Sequence, residues 1–204
     1  MTTPHLNRGD TLVLATHNRG KIAEFAALLG GYGIRVMSAG DLSLPEPDET
    51  ADSFAGNAAI KALAAAKAAN LPALADDSGF CVAALGGAPG IFSARWAGPA
   101  KDYPDAMRRI HEQMGDNPNR GAWFISVLCL AWPDGRTETF EGRIDGHVIW
   151  PPHGANGHGY DPLFAPGTGT RSFADMTDAE KNAISHRGLA FALFSEACLP
   201  KAAE

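Results

Sequence analysis

Apolar residues in this chain fall into short blocks separated by polar punctuation, and their spacing changes from block to block. Thr11 to Ala15 is a continuous apolar run, as expected of a strand covered on both faces of a sheet. It breaks at Thr16-His17-Asn18-Arg19-Gly20. From Lys21 to Leu29, Ile22, Phe25, Ala26 and Leu29 recur at helical spacing, and Gly30-Gly31 supplies a C-terminal stop. Ile34 to Ala39 reads as a second strand, followed by the acidic, proline-bearing loop Leu44-Pro45-Glu46-Pro47-Asp48-Glu49. Ser53 to Asn70 is rich in alanine and predicts a helix, ended by Leu71-Pro72.

Pro72 to Ala75 then leads into Asp76-Asp77-Ser78-Gly79, where the apolar strand is expected to end. A further helix is predicted over Tyr103 to Met114, with Pro104 in its first turn. Ala122 to Trp132 is the longest β-like run, and Pro133-Asp134-Gly135 is a turn returning the chain into Thr137 to Ile144 as an antiparallel neighbour. Thr177-Asp178-Ala179-Glu180 has the form of a capping box. It opens a helical region that carries Lys181, His186 and Arg187 and closes before Pro200. The pattern predicts an α/β protein with a mixed sheet flanked by helices: a polar leader over 1–9, then one domain over 10–204.

Composition narrows the ligand. With 17 Lys and Arg against 23 Asp and Glu, the formal charge is -6. That balance lacks the broad basic surface that counterion release from DNA or RNA requires. A phosphate-bearing small molecule remains compatible, since a few local cations and a divalent metal ion can build a positive pocket on an acidic protein. Cys81, Cys129 and Cys198 are odd in number and far apart, and read as reduced, buried small hydrophobes. No C-x-x-C or H-x-x-x-H spacing supports a zinc site. No signal peptide or membrane-length apolar span is visible, so a cytoplasmic protein without membrane attachment is expected.

Several segments could carry chemistry. Thr16 to Lys21 joins a buried strand to a helix N-terminus, where backbone N–H groups and the helix dipole favour an anion. It is neither a Walker A loop nor a dinucleotide fingerprint, and an ordinary turn with a solvated Lys21 has the same form. Asn57 and Lys61 lie four apart on one helix face and could reach one ligand, although lysines on alanine-rich helices are mostly solvated. Asp76-Asp77 could hold a hard cation and orient a water, or could form a simple turn with Ser78-Gly79. Glu49 is either a further metal carboxylate or surface charge. Gly157-His158-Gly159-Tyr160-Asp161-Pro162 combines flexible glycines with rings that could stack on a base, or is a turn. Arg187, beside His186, suits a phosphate or a purine carbonyl.

Taken jointly, these segments resemble the inosine triphosphate pyrophosphatase family of non-standard purine nucleotide pyrophosphatases. The resemblance rests on the run from Ala15 to Lys21, on Glu49-Thr50 with Phe54, on Asn57 and Lys61, and on Ala75-Asp76-Asp77-Ser78-Gly79. It continues through Leu85 to Ile91, Ser93-Ala94-Arg95, Gly159 to Phe164, and Glu180 to Gly188. It implies an elongated two-lobed fold with a central cleft, usually a homodimer, acting with Mg²⁺ on a purine nucleoside triphosphate. Thr16, His17, Asn18, Arg19, Gly20 and Lys21 would contact the triphosphate, with Asn57 and Lys61 nearby. Asp77 would be the general base and a metal ligand, Glu49 a second metal carboxylate, and Ser78 a substrate contact. His158, Gly159, Tyr160 and Asp161 would hold the purine, with Tyr160 stacking on it, while Lys181, His186 and Arg187 reach its polar edge. The chain has His158 where the family often has an aromatic residue, and His17 where Ser or Gly is common.

Overall fold

The computed structural model describes residues 5–201. Its first strand, β1 (Thr11–Leu14), is the buried apolar run, and Asn18 caps the helix that follows, α1 (Arg19–Leu29). β2 (Arg35–Ser38) returns parallel to β1, with Leu12 opposite Val36 and Leu14 opposite Ser38. α2 (Phe54–Ala69) starts where Ser53 accepts the N–H of Gly56, and stops at Asn70 in the left-handed conformation. β3 (Ala73–Val82) also runs parallel to β1, pairing Val13 with Ala73.

The short helix α3 (Ser93–Trp96) precedes α4 (Tyr103–Met114), which Asp102 caps and Pro104 opens. β4 (Gly121–Ala131) and β5 (Thr137–Val148) are sheet neighbours joined by a tight turn that Trp132 N–H closes onto Arg136 O at 3.0 Å. So short a connection admits only the antiparallel arrangement. β6 (Phe164–Pro166) runs antiparallel to β5. The chain ends in α5 (Asp178–Ile184) and α6 (His186–Cys198). The six strands form one mixed sheet in the order β2-β1-β3-β4-β5-β6.

Two compact units account for the chain. The first comprises residues up to Asp77, Val127–Glu141 and the segment from Ala190. Its core packs Leu12, Leu14, Phe25, Leu29, Leu74, Leu128, Leu130 and Phe194, each of which contributes about 1.5–3 kcal/mol on burial. Leu6, inside the segment expected to be a polar leader, is buried in this core, and its N–H donates to Cys198 O. The second unit comprises Ser78–Ser126 and Gly142–Leu189, and its core is aromatic: Phe80, Phe124, Phe164 and Phe173 with Tyr160.

Two sequence expectations are corrected. Asp76-Asp77-Ser78-Gly79 is neither a turn nor a strand end but the middle of β3. Two carboxylates are tolerated there because each meets a lysine, Asp76 meeting Lys21 and Asp77 meeting Lys61. The single C-terminal helical region is two helices, broken at Ser185, whose extended backbone (ψ 156°) interrupts the helical ladder.

Candidate active site

The loop after β1 is organised by Asn18. Its Oδ1 accepts the N–H groups of Gly20 at 2.9 Å and Lys21 at 3.3 Å, while its own N–H donates to Thr16 Oγ1. The sequence expectation of free N–H groups at this helix start is therefore corrected for two of them, which the Asn18 side chain satisfies. His17, Arg19 and Gly20 are exposed. Lys21 turns inward, its Nζ 2.7 Å from Asp76 Oδ2.

Lys61, on the buried face of α2, gathers the other charges. Its Nζ donates to Glu49 Oε1 at 2.8 Å, Asp77 Oδ1 at 2.9 Å and the Asp76 carbonyl at 3.1 Å. Successive strand residues point to opposite faces, which is why neighbouring Asp76 and Asp77 meet different lysines. Burial works against the Lys61 charge, but Asp77 and Glu49 outweigh it and hold the ammonium above the ordinary lysine range. For Asp77 burial wins: the carboxyl lies above its ordinary value despite the pull of Lys61, with Glu49 pushing the same way. The second oxygen, Asp77 Oδ2, is buried and has no hydrogen-bond partner among the described residues. Asn57 lies on the same buried face of α2 as Lys61. It is 1% exposed, and its Oδ1 accepts the N–H of Ala51, pinning the segment just after Glu49. Beside the cluster, His17 and Lys61 line a small pocket with Leu44, Pro45, Glu46 and Pro47.

Glu49 and Asp77 suit a divalent cation, since an oxygen of each lies within 2.9 Å of one nitrogen and Asp77 Oδ2 lacks a donor. No cage of three or more His, Cys, Asp or Glu exists among the described residues. A one- or two-carboxylate site is the form Mg²⁺ takes when phosphate oxygens complete its shell.

In the second unit the expected purine-binding residues are brought close together. Asp161 is 2% exposed, and its Oδ2 accepts from Lys181 Nζ at 2.6 Å and from the His158 N–H at 2.8 Å. Gly157 passes so near that a Cβ there would sit 2.2 Å from the same oxygen, and its φ of 72° also disfavours a side chain. Tyr160 is corrected: it offers no open face to a base. The ring is 3% exposed, stacks on Phe80 at 5.3 Å and meets Tyr103 edge-on, and its hydroxyl donates to Ser93 O. Burial pushes its phenol up. Lys181, His186 and Arg187 are all buried. His186 stacks on Phe124 at 4.9 Å, and Arg187 Nη2 donates to Ser78 Oγ at 3.1 Å. His158 itself is exposed.

Sequence reasoning missed the Lys21–Asp76 and Arg187–Ser78 pairs, which link residues 55 and 109 positions apart. It also missed Ser93, whose Oγ accepts the Phe80 N–H at 2.9 Å and donates to Gly90 O. The only signal was the Ser93-Ala94-Arg95 motif, to which no role attached.

The Ham1 family model matches residues 12–197. A protein of Gluconobacter oxydans named dITP/XTP pyrophosphatase is 59% identical over 95% of this chain and 93% of its own. A Bradyrhizobium protein of the same name is 52% identical over 98% of this chain and 99% of its own. Among solved structures, the Staphylococcus aureus Ham1 protein superposes with a TM-score of 0.84 at 35% identity, covering 91% of this chain and 96% of its own. A HAM1 protein from Coxiella burnetii gives 0.82 at 38% identity, covering 91% and 96%. With a family model spanning nearly its whole length and close relatives matched end to end, the chain belongs to the Ham1 family.

Proposed function

We propose that the protein hydrolyses non-standard purine nucleoside triphosphates, ITP, dITP and XTP, to the monophosphate and pyrophosphate, keeping such bases out of DNA and RNA. The observation that carries the reading is Asp77: one carboxylate oxygen fixed by a lysine, the other buried and unengaged, beside a cationic loop at a helix N-terminus. The names of the relatives at 52% and 59% identity support the substrate class.

In this reading Lys61 sets the orientation of Asp77 through Oδ1 before the nucleotide binds, and Oδ2 then takes the proton of a water that attacks the α-phosphorus. The bond to the bridging oxygen breaks and pyrophosphate leaves with its new charge facing Lys21 and Lys61. Burial strengthens Asp77 for this role, since a raised carboxyl is the better proton acceptor. Glu49 and Asp77 would hold Mg²⁺, which when bound supplies charge neutralisation on the phosphates. Thr16 to Lys21 serve the triphosphate. For the purine we assign His158 and Gly159 as contacts braced from behind by Tyr160, Asp161 and Lys181, with Ser78, His186 and Arg187 as donors. Donors aimed at a six-position carbonyl accept hypoxanthine or xanthine, whereas the amino group of adenine would leave them unpaired. A cytoplasmic homodimer acting on free nucleotides completes the proposal.

Hydrolysis of dITP, XTP, dGTP, ATP and dTTP with Mg²⁺, resolving pyrophosphate from orthophosphate and repeated with EDTA, tests it. Metal-dependent pyrophosphate release favouring dITP and XTP is expected. Orthophosphate release, indifference to the base, or binding without turnover would each overturn it.

A further inference from the structure

We infer that the Lys61 ammonium holds the place of the divalent cation in the nucleotide-free protein, so that metal enters only together with the nucleotide. This rests on the proposed function for the identity of the metal site, but its evidence is the geometry of Lys61 alone.

An ammonium has three N–H donors, and all three of Lys61 are spent, on Glu49 Oε1, Asp77 Oδ1 and the Asp76 carbonyl. Two of these acceptors are the carboxylates a divalent ion would need. The nitrogen is buried, so its charge is poorly screened and repels any second cation brought to the same oxygens. The neighbouring carboxylate offers no alternative, because Asp76 is engaged by Lys21 at 2.7 Å. A free metal ion must therefore expel an ammonium into a pocket that holds no other anion to receive it except Glu46.

A triphosphate changes that balance. It brings oxygens that Lys61, on a flexible four-carbon stem, can take in exchange for Glu49 and Asp77. It also carries its own metal ion, with part of the coordination shell already filled by phosphate. Lys61 is in this view a positioning residue twice over: it keeps the Glu49 and Asp77 carboxylates together before binding and follows the phosphates afterwards.

The test is binding of MnCl₂ without nucleotide, followed by the electron paramagnetic resonance of free Mn²⁺ and by thermal unfolding. Wild-type protein is expected to bind Mn²⁺ weakly and to show an unchanged melting temperature. Lys61→Met, which removes the ammonium shared by Glu49 and Asp77, is expected to bind Mn²⁺ about tenfold more tightly or better. Its lowered melting temperature should rise with MnCl₂, and adding Asp77→Asn should abolish both effects. Lys61→Gln, which keeps hydrogen bonds but not charge, is the second variant should the methionine protein fail to fold. Wild-type binding as tight as that of either variant would overturn the inference. Because no turnover is read, that outcome leaves the proposed activity standing, and loss of nucleotide hydrolysis in the separate substrate assay would remove the activity without touching this result.

Discussion

Replacement of Lys181 by Met separates a brace from a ligand contact. Lys181 Nζ lies 2.6 Å from Asp161 Oδ2, with the two side chains 11% and 2% exposed. Removing the ammonium leaves a buried carboxylate whose Oδ2 keeps, among the described residues, the His158 N–H as a donor. Breaking a buried ion pair from one side costs about 3–5 kcal/mol, because the surviving charge is stranded. For a chain of this size each kcal/mol shifts the melting temperature by roughly 2–4 °C, so a fall of roughly 10 °C is expected. Adding Asp161→Asn removes the stranded charge while keeping an acceptor for the His158 N–H, and the double variant should recover much of the loss. The assay is thermal unfolding followed by circular dichroism, with KM and kcat for dITP measured at low temperature. A Lys181→Met protein that melts within about 2 °C of wild type, yet loses affinity for dITP, would refute the brace and make Lys181 a direct contact.

Three further outcomes are expected. Asp77→Asn should fold normally and lose about 10²–10⁴ in kcat. In the wild type, burial holds the Asp77 carboxyl above its ordinary value, so the base is protonated and activity falls away at a higher pH than an exposed aspartate would give. A kcat/KM profile whose acid limb sits in the ordinary aspartate range would contradict this. The three thiols are buried, and burial pushes Cys81 and Cys198 up to about 11 and Cys129 up to about 12. Ellman's reagent at pH 8 should therefore label none of them in the native protein and all three in guanidinium.

The local vocabulary of this protein was legible in its sequence. Tyr103–Met114 forms the helix its pattern predicts, Ser53 and Asn70 bound α2, and Thr177 with Glu180 forms the capping box. These features depend on neighbours within four residues, whose propensities and hydrogen bonds act before any tertiary contact exists. The residues gathered around Glu49, Asp77 and Asp161 were likewise nameable from motifs, because chemistry restricts which side chains can serve.

What the sequence left open was the direction in which those side chains turn. Asp76-Asp77-Ser78-Gly79 has the composition of a turn, and it lies within β3 because Lys21 and Lys61, 55 and 16 residues away, neutralise its two acids. Tyr160 carries a ring fit for stacking on a base, yet it is enclosed by Phe80 and Tyr103. Asn57 shares a helix face with Lys61 but spends its carbonyl oxygen on Ala51. Each outcome was decided by desolvation: a buried charge or polar atom must find its counterpart, and the counterpart is supplied by whichever distant segment the fold delivers. Spacing and composition determine which elements form and which groups are available, and only tertiary packing decides which of those groups are spent on one another.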